Sequence, residues 1–318
     1  MTTTASERTP ERAHAPELGV THRLLGRFHV TGIFWYRLHY WGSNHLPRWF
    51  MNQVGPIIIS LVFCLVMGKI RRAVAANLEP VLGPAGPMTR WRRAYRTLRT
   101  FACCLTERYQ RMGPGAKTQF AIEGLPHWVA GTGEGRGAVL VSAHLGPWEN
   151  STYLGADEEA RIVHVVREEE IDPRAQAFIS EMVGKISDKV VTHYAGDDPR
   201  LAIELSEALR RGELVALQGD RPRAGGRTIT AHIFGKPMPL PIGPVALARA
   251  AGVPLLPIFS FREGVLQART VVRAPIFVAR TANRDADHTA AINQLAADIE
   301  WAIRERPHQW FCFKRLWD

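Results

Sequence analysis

Between Gly137 and Arg304, short apolar runs alternate with stretches of helical period, and few folds accept that alternation. Candidate strands fall at 137–143, 161–166, 189–193, 213–218 and 254–260, with a strand pair near 265–278. Helical patterns occupy 147–155, 173–186, 198–211, 242–251 and 286–304. Strands joined through helices run parallel and are covered on both faces. The expected fold is therefore α/β: a mixed, mainly parallel sheet flanked by helices, with N-terminal membrane-associated helices before it. Residues 1–25 read as a polar disordered tail, 26–112 as a helical membrane-associated region and 113–318 as the α/β domain.

The first strand runs into an unusual crest. Gly137–Ala143 is apolar, and His144 stands where the strand should stop. Gly146 and Pro147 then break the extended pattern, with proline suited to the first helical position. Trp148 and Glu149 are thereby expected in a first helical turn. Ligands of open α/β sheets gather where strand ends meet helix starts. A histidine there can act as a general base near neutral pH. A carboxylate on its second ring nitrogen would fix the tautomer, as in a serine-protease triad. Plain readings also exist: Glu149 as a helix-start residue favoured by the dipole, and His144 as a satisfied strand end.

The residues before the sheet carry a different signal. Aromatics crowd residues 28–50, including Trp35, Tyr36, Trp41 and Trp49 among basic residues. That mixture marks membrane–water interfaces and also single-strand nucleic-acid grooves. Val54–Gly68 is uncharged, then Lys69, Arg71 and Arg72 follow. The run is short of the roughly 20 residues a spanning helix needs, so a helix dipping into the membrane is favoured over a spanning one or a buried core helix. Arginines punctuate 89–112, where Trp91, Tyr95, Leu98, Ala102, Leu105 and Tyr109 recur at helical spacing. The formal net charge of +10 suits an acidic partner or anionic surface. The four cysteines include no Cys-x-x-Cys pair, which argues against a zinc site and a disulfide framework. No metal is expected. A nucleic-acid-binding protein and a non-catalytic membrane scaffold are the rival classes, but no zinc finger or RRM pattern is present.

Two further strands end in polar residues, Arg161–Arg167 in Arg167 and Leu214–Asp220 in Asp220, followed by Arg221. Convergence of His144, Arg167 and Asp220 on one sheet edge would build a site. Taken singly, Arg167 could pair with Glu168 or Glu170, and Gly-Asp-Arg-Pro is good turn chemistry. His144-Leu-Gly-Pro-Trp-Glu149 resembles the His-x4-Glu form of the lysophospholipid acyltransferase superfamily motif, typical of bacterial lipid A late acyltransferases and phosphatidylinositol mannoside acyltransferase. Phe234–Ala248, with its Gly243-Pro-Val-Ala-Leu-Ala, Arg306–Arg315 with its Gln-Trp, and Asn77-Leu78 resemble further blocks of that branch in the same order. Departures are Cys312 in place of an aromatic and no clear counterpart, beyond Lys185, for an arginine on the helix after Arg167. The resemblance implies acyl transfer from acyl carrier protein or coenzyme A thioester to a hydroxyl or amine of a lipid acceptor, at the cytoplasmic face of the cell inner membrane. It implies no other cofactor and no nucleic acid. His144 and Glu149 would be the general-base dyad, with Arg167, Asp220, Arg221 and Gly243 binding substrate. No Gly-x-Ser-x-Gly elbow offers an acyl-enzyme, and main-chain N–H groups near the Gly146 turn, or a nearby arginine, would hold the developing oxyanion.

Overall fold

The structure, a computed structural model, describes residues 32–113, 117–150, 161–184, 187–196 and 199–317. The expected tail over 1–25 and Lys185 lie outside them. An N-terminal helical layer comprises α1 (Ile33–His45), α2 (Gly55–Val66), α3 (Gly68–Asn77), the single turn α4 (Glu79–Leu82) and α5 (Pro87–Met112). The sheet part follows as β1 (Gln119–Glu123), α6 (Leu125–Thr132), β2 (Ala138–Ser142), β3 (Val163–Arg167), α7 (Pro173–Gly184), β4 (Val190–Tyr194), α8 (Pro199–Arg210), β5 (Leu214–Gln218), β6 (Thr228–Ile233), β7 (Lys236–Pro241), α9 (Gly243–Ala251), β8 (Leu255–Gly264), β9 (Gln267–Val272) and α10 (Arg284–Glu305).

Seven strands form one sheet in the order β1-β9-β8-β2-β5-β3-β4, parallel throughout except for the antiparallel β8–β9 pair. The mixed, mainly parallel sheet expected from the sequence is what forms. β2 lies at its centre and every residue of it is buried. Val139 and Val141 join the core under α9 and α10, while Ala138 and Leu140 join a second core with Trp128, Leu214 and Ile258. Alternate side chains thus fill opposite faces, which explains a run apolar at every position.

Three expectations need correction. The strand pair near 265–278 is one strand, β9, whose partner is the long β8 folding back on it. A hairpin β6–β7 forms although Pro237, Pro239 and Pro241 argue against a strand in the sequence; a two-stranded ribbon tolerates them where N–H groups are unneeded. Its turn carries positive φ at Phe234 and Gly235, and Glu300 accepts the Phe234 N–H at 2.6 Å. Finally, Pro147–Glu149 form a turn and helix begins at Asn150; the rest of the expected 147–155 helix lies outside the described residues.

α5 is the spine of the N-terminal layer, packed against α1, α2 and α3. Cys103 and Cys104 are buried on it as packing residues. Among the described residues no single helix is long and apolar enough to cross a membrane; only Phe50–Val66 with Gly68–Asn77 reaches that composition, and the pair is bent by 99°.

Candidate active site

Parallel pairing of β2 with β5 puts Ser142 level with Gln218. Two residues further along each strand end come His144 and Asp220, and their side chains meet. The Asp220 Oδ1 atom lies 2.7 Å from His144 Nδ1 and also accepts the His144 main-chain N–H at 3.2 Å. Trp310 Nε1–H donates to Asp220 Oδ2 at 3.2 Å, and Arg221 Nε stands 3.8 Å from the same oxygen. Asp220 is wholly buried, whereas the His144 side chain keeps 26% of its surface exposed.

Burial alone would raise the Asp220 pKa. The His144 imidazole, the Arg221 guanidinium and the Trp310 N–H override it and hold the carboxyl well below the usual carboxylate range. The group beside Nδ1 is therefore an anion that accepts and cannot donate. A neutral imidazole has one N–H, so that proton is assigned to Nδ1. Nε2 is left as a lone pair without a hydrogen-bond partner among the described residues.

The carboxylate on the histidine is thus Asp220, not Glu149. Glu149 turns to the other arginines: Arg108 Nε on α5 lies 2.8 Å from its Oε2, and Arg167 at the end of β3 lies 3.9 Å from its Oε1. The helix starts one residue after Glu149, the Arg108 and Arg167 guanidiniums draw its carboxylate, and Asp220 already occupies His144 Nδ1, so the expected dyad does not form. Arg167 meets Glu149 rather than Glu168 or Glu170. Arg221 donates to the Phe311 carbonyl at 3.2 Å, which ties the Asp220 loop to the C-terminal segment. Gly243 opens α9, exposed, and no described contact joins it to the His144–Asp220 pair.

Gly146 is fixed by its surroundings. Its φ is +56°, and a Cβ there would stand 2.3 Å from the Ser260 carbonyl oxygen. Its N–H donates to the Gln309 carbonyl at 2.8 Å, so of the N–H groups near this turn its own is already taken. Phe311 N–H then donates to the His144 carbonyl at 2.8 Å. Gly146→Ala is expected to destabilise the fold by at least about 2 kcal/mol, from left-handed strain plus the clash. The midpoint of denaturant unfolding measures this, and an unchanged midpoint contradicts it.

A cavity of about 960 Å³ opens against Gly146–Asn150, the turn that follows His144. Its apolar wall comes from α1, α2 and α5, and its polar end holds Glu149, Arg108, Arg167 and Glu170. Trp148 lines it, with its ring centroid 5.8 Å from that of His144. Tyr36 donates to Glu170 at 3.0 Å across the same end. Among the described residues no cluster of three or more His, Cys, Asp or Glu could hold a metal ion.

The sequence located His144, Asp220, Arg167 and Arg221 at this edge and missed two roles. Arg108 was one of many arginines in an amphipathic helix, with nothing to set it apart. Trp310 lies ninety residues from Asp220, but its block was visible.

Residues 27–318 match a family model described as "Bacterial lipid A biosynthesis acyltransferase". A phosphatidylinositol mannoside acyltransferase of Mycobacterium tuberculosis (strain ATCC 25618 / H37Rv) is 30% identical over 145 residues, 45% of this chain and 44% of that protein. Its namesake from strain CDC 1551 / Oshkosh gives the same figures. The chain thus spans under half the length of these curated relatives. The crystal structure of the 1-acyl-sn-glycerophosphate (LPA) acyltransferase PlsC from Thermotoga maritima overlays with a TM-score of 0.35 at 12% identity, over 77% of this chain and 97% of that one. So loose an overlay adds nothing to the strand order described above.

Proposed function

Because the chain belongs to the bacterial lipid A biosynthesis acyltransferase family, we propose that it moves a fatty acyl group from a thioester to a hydroxyl or amine of a lipid or glycolipid acceptor at the cytoplasmic face of the cell inner membrane. One observation carries the reading: a partly exposed histidine, held by a buried aspartate, followed by a turn that lines a large apolar cavity.

The chemistry follows from the tautomer. His144 Nε2 takes the proton of the acceptor hydroxyl as its oxygen attacks the thioester carbonyl. Asp220 stabilises the imidazolium that forms and keeps the ring oriented. The tetrahedral intermediate collapses, the C–S bond breaks, and the imidazolium returns the proton to the departing thiolate. The apolar wall accommodates an acyl chain, and the Arg108–Glu149–Arg167 end meets a charged or hydroxylated headgroup. The thioester is carried by acyl carrier protein or coenzyme A, and the family relationship suits a lipid acceptor. A transfer assay offering labelled acyl thioester on each carrier to a total lipid extract tests this reading. Label entering lipid supports it; thioester left intact on both carriers removes it.

The apolar face of α1 and α2 supports a membrane position. Trp41 is 51% exposed, Leu65 70% and Val66 76%, and Trp49 and Ile58 join them. Water does not favour so many exposed large apolar side chains on one layer, and interfacial lipid does. Trp41→Ser with Leu65→Ser is expected to cut liposome flotation at least fivefold while leaving the melting temperature unchanged. Flotation equal to the parent protein contradicts this placement.

A further inference from the structure

α9, α10 and the segment before β6 enclose a second cavity of about 230 Å³, which shares no lining residue with the first. Arg227, Arg249, Arg284 and His288 supply its polar wall, and Ile242 and Ala246 its apolar one. At about 1.5 Å of rise per residue, His288 lies roughly 25 Å along α10 from Glu305. The far end of that helix leads on to Trp310 and Asp220, so this cavity stands well away from the His144 edge.

Its charges are arranged for an anion. Arg249 is fixed by Asp287 Oδ2 at 3.1 Å and by the Thr281 carbonyl at 2.8 Å. Asp287 is itself occupied, accepting from Thr281 Oγ1 at 2.8 Å and Thr281 N at 2.9 Å. Asp285 is the other carboxylate on this end of α10, exposed to solvent. The exposed side chains of Arg227 and Arg284 have no ion-pair or hydrogen-bond partner among the described residues.

His288 is a second and independent sign. The residue is only 3% exposed, it lines the cavity, and its Nδ1 has no hydrogen-bond partner. Buried polar atoms in native proteins are almost always bonded, so an unmet ring on a cavity wall points to a ligand. Burial, with the Arg284 and Arg249 guanidiniums beside it, lowers its pKa and keeps the ring neutral. A neutral imidazole still offers one N–H to an oxyanion. The space is below the roughly 300–1,000 Å³ typical of drug-sized ligands, so it suits a single small group.

We propose that this cavity binds a phosphomonoester dianion, with Arg227 and Arg284 grasping its oxygens, Arg249 behind them and His288 donating from the buried wall. Guanidinium forks match phosphate geometry, and paired charged hydrogen bonds are the strong ones. The group arrives on a soluble metabolite or on a lipid headgroup. The site stands whether or not the chain transfers acyl groups.

Equilibrium dialysis of the full chain in detergent with radiolabelled inorganic phosphate, at fixed ionic strength, tests it. Saturable binding is expected, weakened at least tenfold in Arg227→Gln/Arg284→Gln and severalfold in His288→Leu, and retained in His144→Ala. Circular dichroism melting checks that each variant is folded. Displacement by glycerol 3-phosphate or by vesicles containing a lipid phosphomonoester supports the site, and the better competitor identifies the source. No saturable binding, or undiminished binding in the folded double variant, overturns it. So does displacement by sulfate with neither phosphomonoester competing.

Discussion

Replacing His144 by alanine is expected to lower acyl transfer by about 10²–10⁴-fold, the usual worth of a positioned general base. With Nδ1 on Asp220, Nε2 is the imidazole nitrogen left to take a proton, and alanine removes it. The fold should survive. Asp220 would still accept the main-chain N–H of residue 144 and the Trp310 indole N–H, and Arg221 would remain 3.8 Å away. Single-turnover transfer of labelled acyl chains into lipid measures the rate, and a denaturant melt confirms the fold. Transfer at the parent rate in a folded His144→Ala protein removes the mechanism.

Asp220→Asn should cost nearly as much, about 10²–10⁴-fold in kcat, through a different route. An equivalent exchange in the serine-protease triad lowers kcat about 10⁴-fold by favouring the wrong tautomer. At residue 220 one amide has a single oxygen for what two carboxylate oxygens accept: His144 Nδ1–H, His144 N–H and Trp310 Nε1–H. Whichever way the amide sits, its NH₂ faces a donor or pushes the imidazole proton to Nε2. The neutral side chain also withdraws the charge that stabilises the imidazolium. Donor binding should change little, so the loss appears in kcat rather than KM. The carboxylate matters to stability as well. Its folded pKa is depressed, so its contribution is complete above the unfolded carboxylate range near pH 4 and is lost as pH falls towards the folded value. The asparagine variant should therefore lose part of that acid-side pH dependence.

Glu149→Gln is expected to behave differently. It weakens the contact with Arg108 and leaves that guanidinium on the cavity wall with less compensation. The contact is an ion pair between two partly exposed side chains, a class worth about 0–1 kcal/mol. Stability and acceptor KM should suffer more than kcat.

Much of this site was legible before any coordinates. The apolar runs that become β2, β3 and β5 each end in a polar residue, and parallel strands bring such ends to one edge. That reasoning located His144, Arg167 and Asp220 together. It could not say which carboxylate reaches the imidazole. Sequence proximity favoured Glu149, five residues away, over Asp220, seventy-six away. Strand register decides the matter, because Ser142 lies opposite Gln218 and both chains continue two residues further. The Gly146-Pro147 pair predicts a helix start, whereas the chain turns there and the helix begins at Asn150. β1 was invisible for a different reason: all five of its residues are exposed, so no buried face imposes a period. The hairpin β6–β7 was hidden by its prolines. Arg108 had to wait for the packing of α5 on the crest, which periodicity does not contain.

The most direct test sets Asp220→Asn and Glu149→Gln side by side in the same single-turnover assay, at saturating thioester and lipid. The Asp220–His144 pairing predicts a chemical step slowed at least a hundredfold in Asp220→Asn and less than tenfold in Glu149→Gln. The reverse order, with Glu149→Gln nearly dead and Asp220→Asn nearly intact, would contradict it.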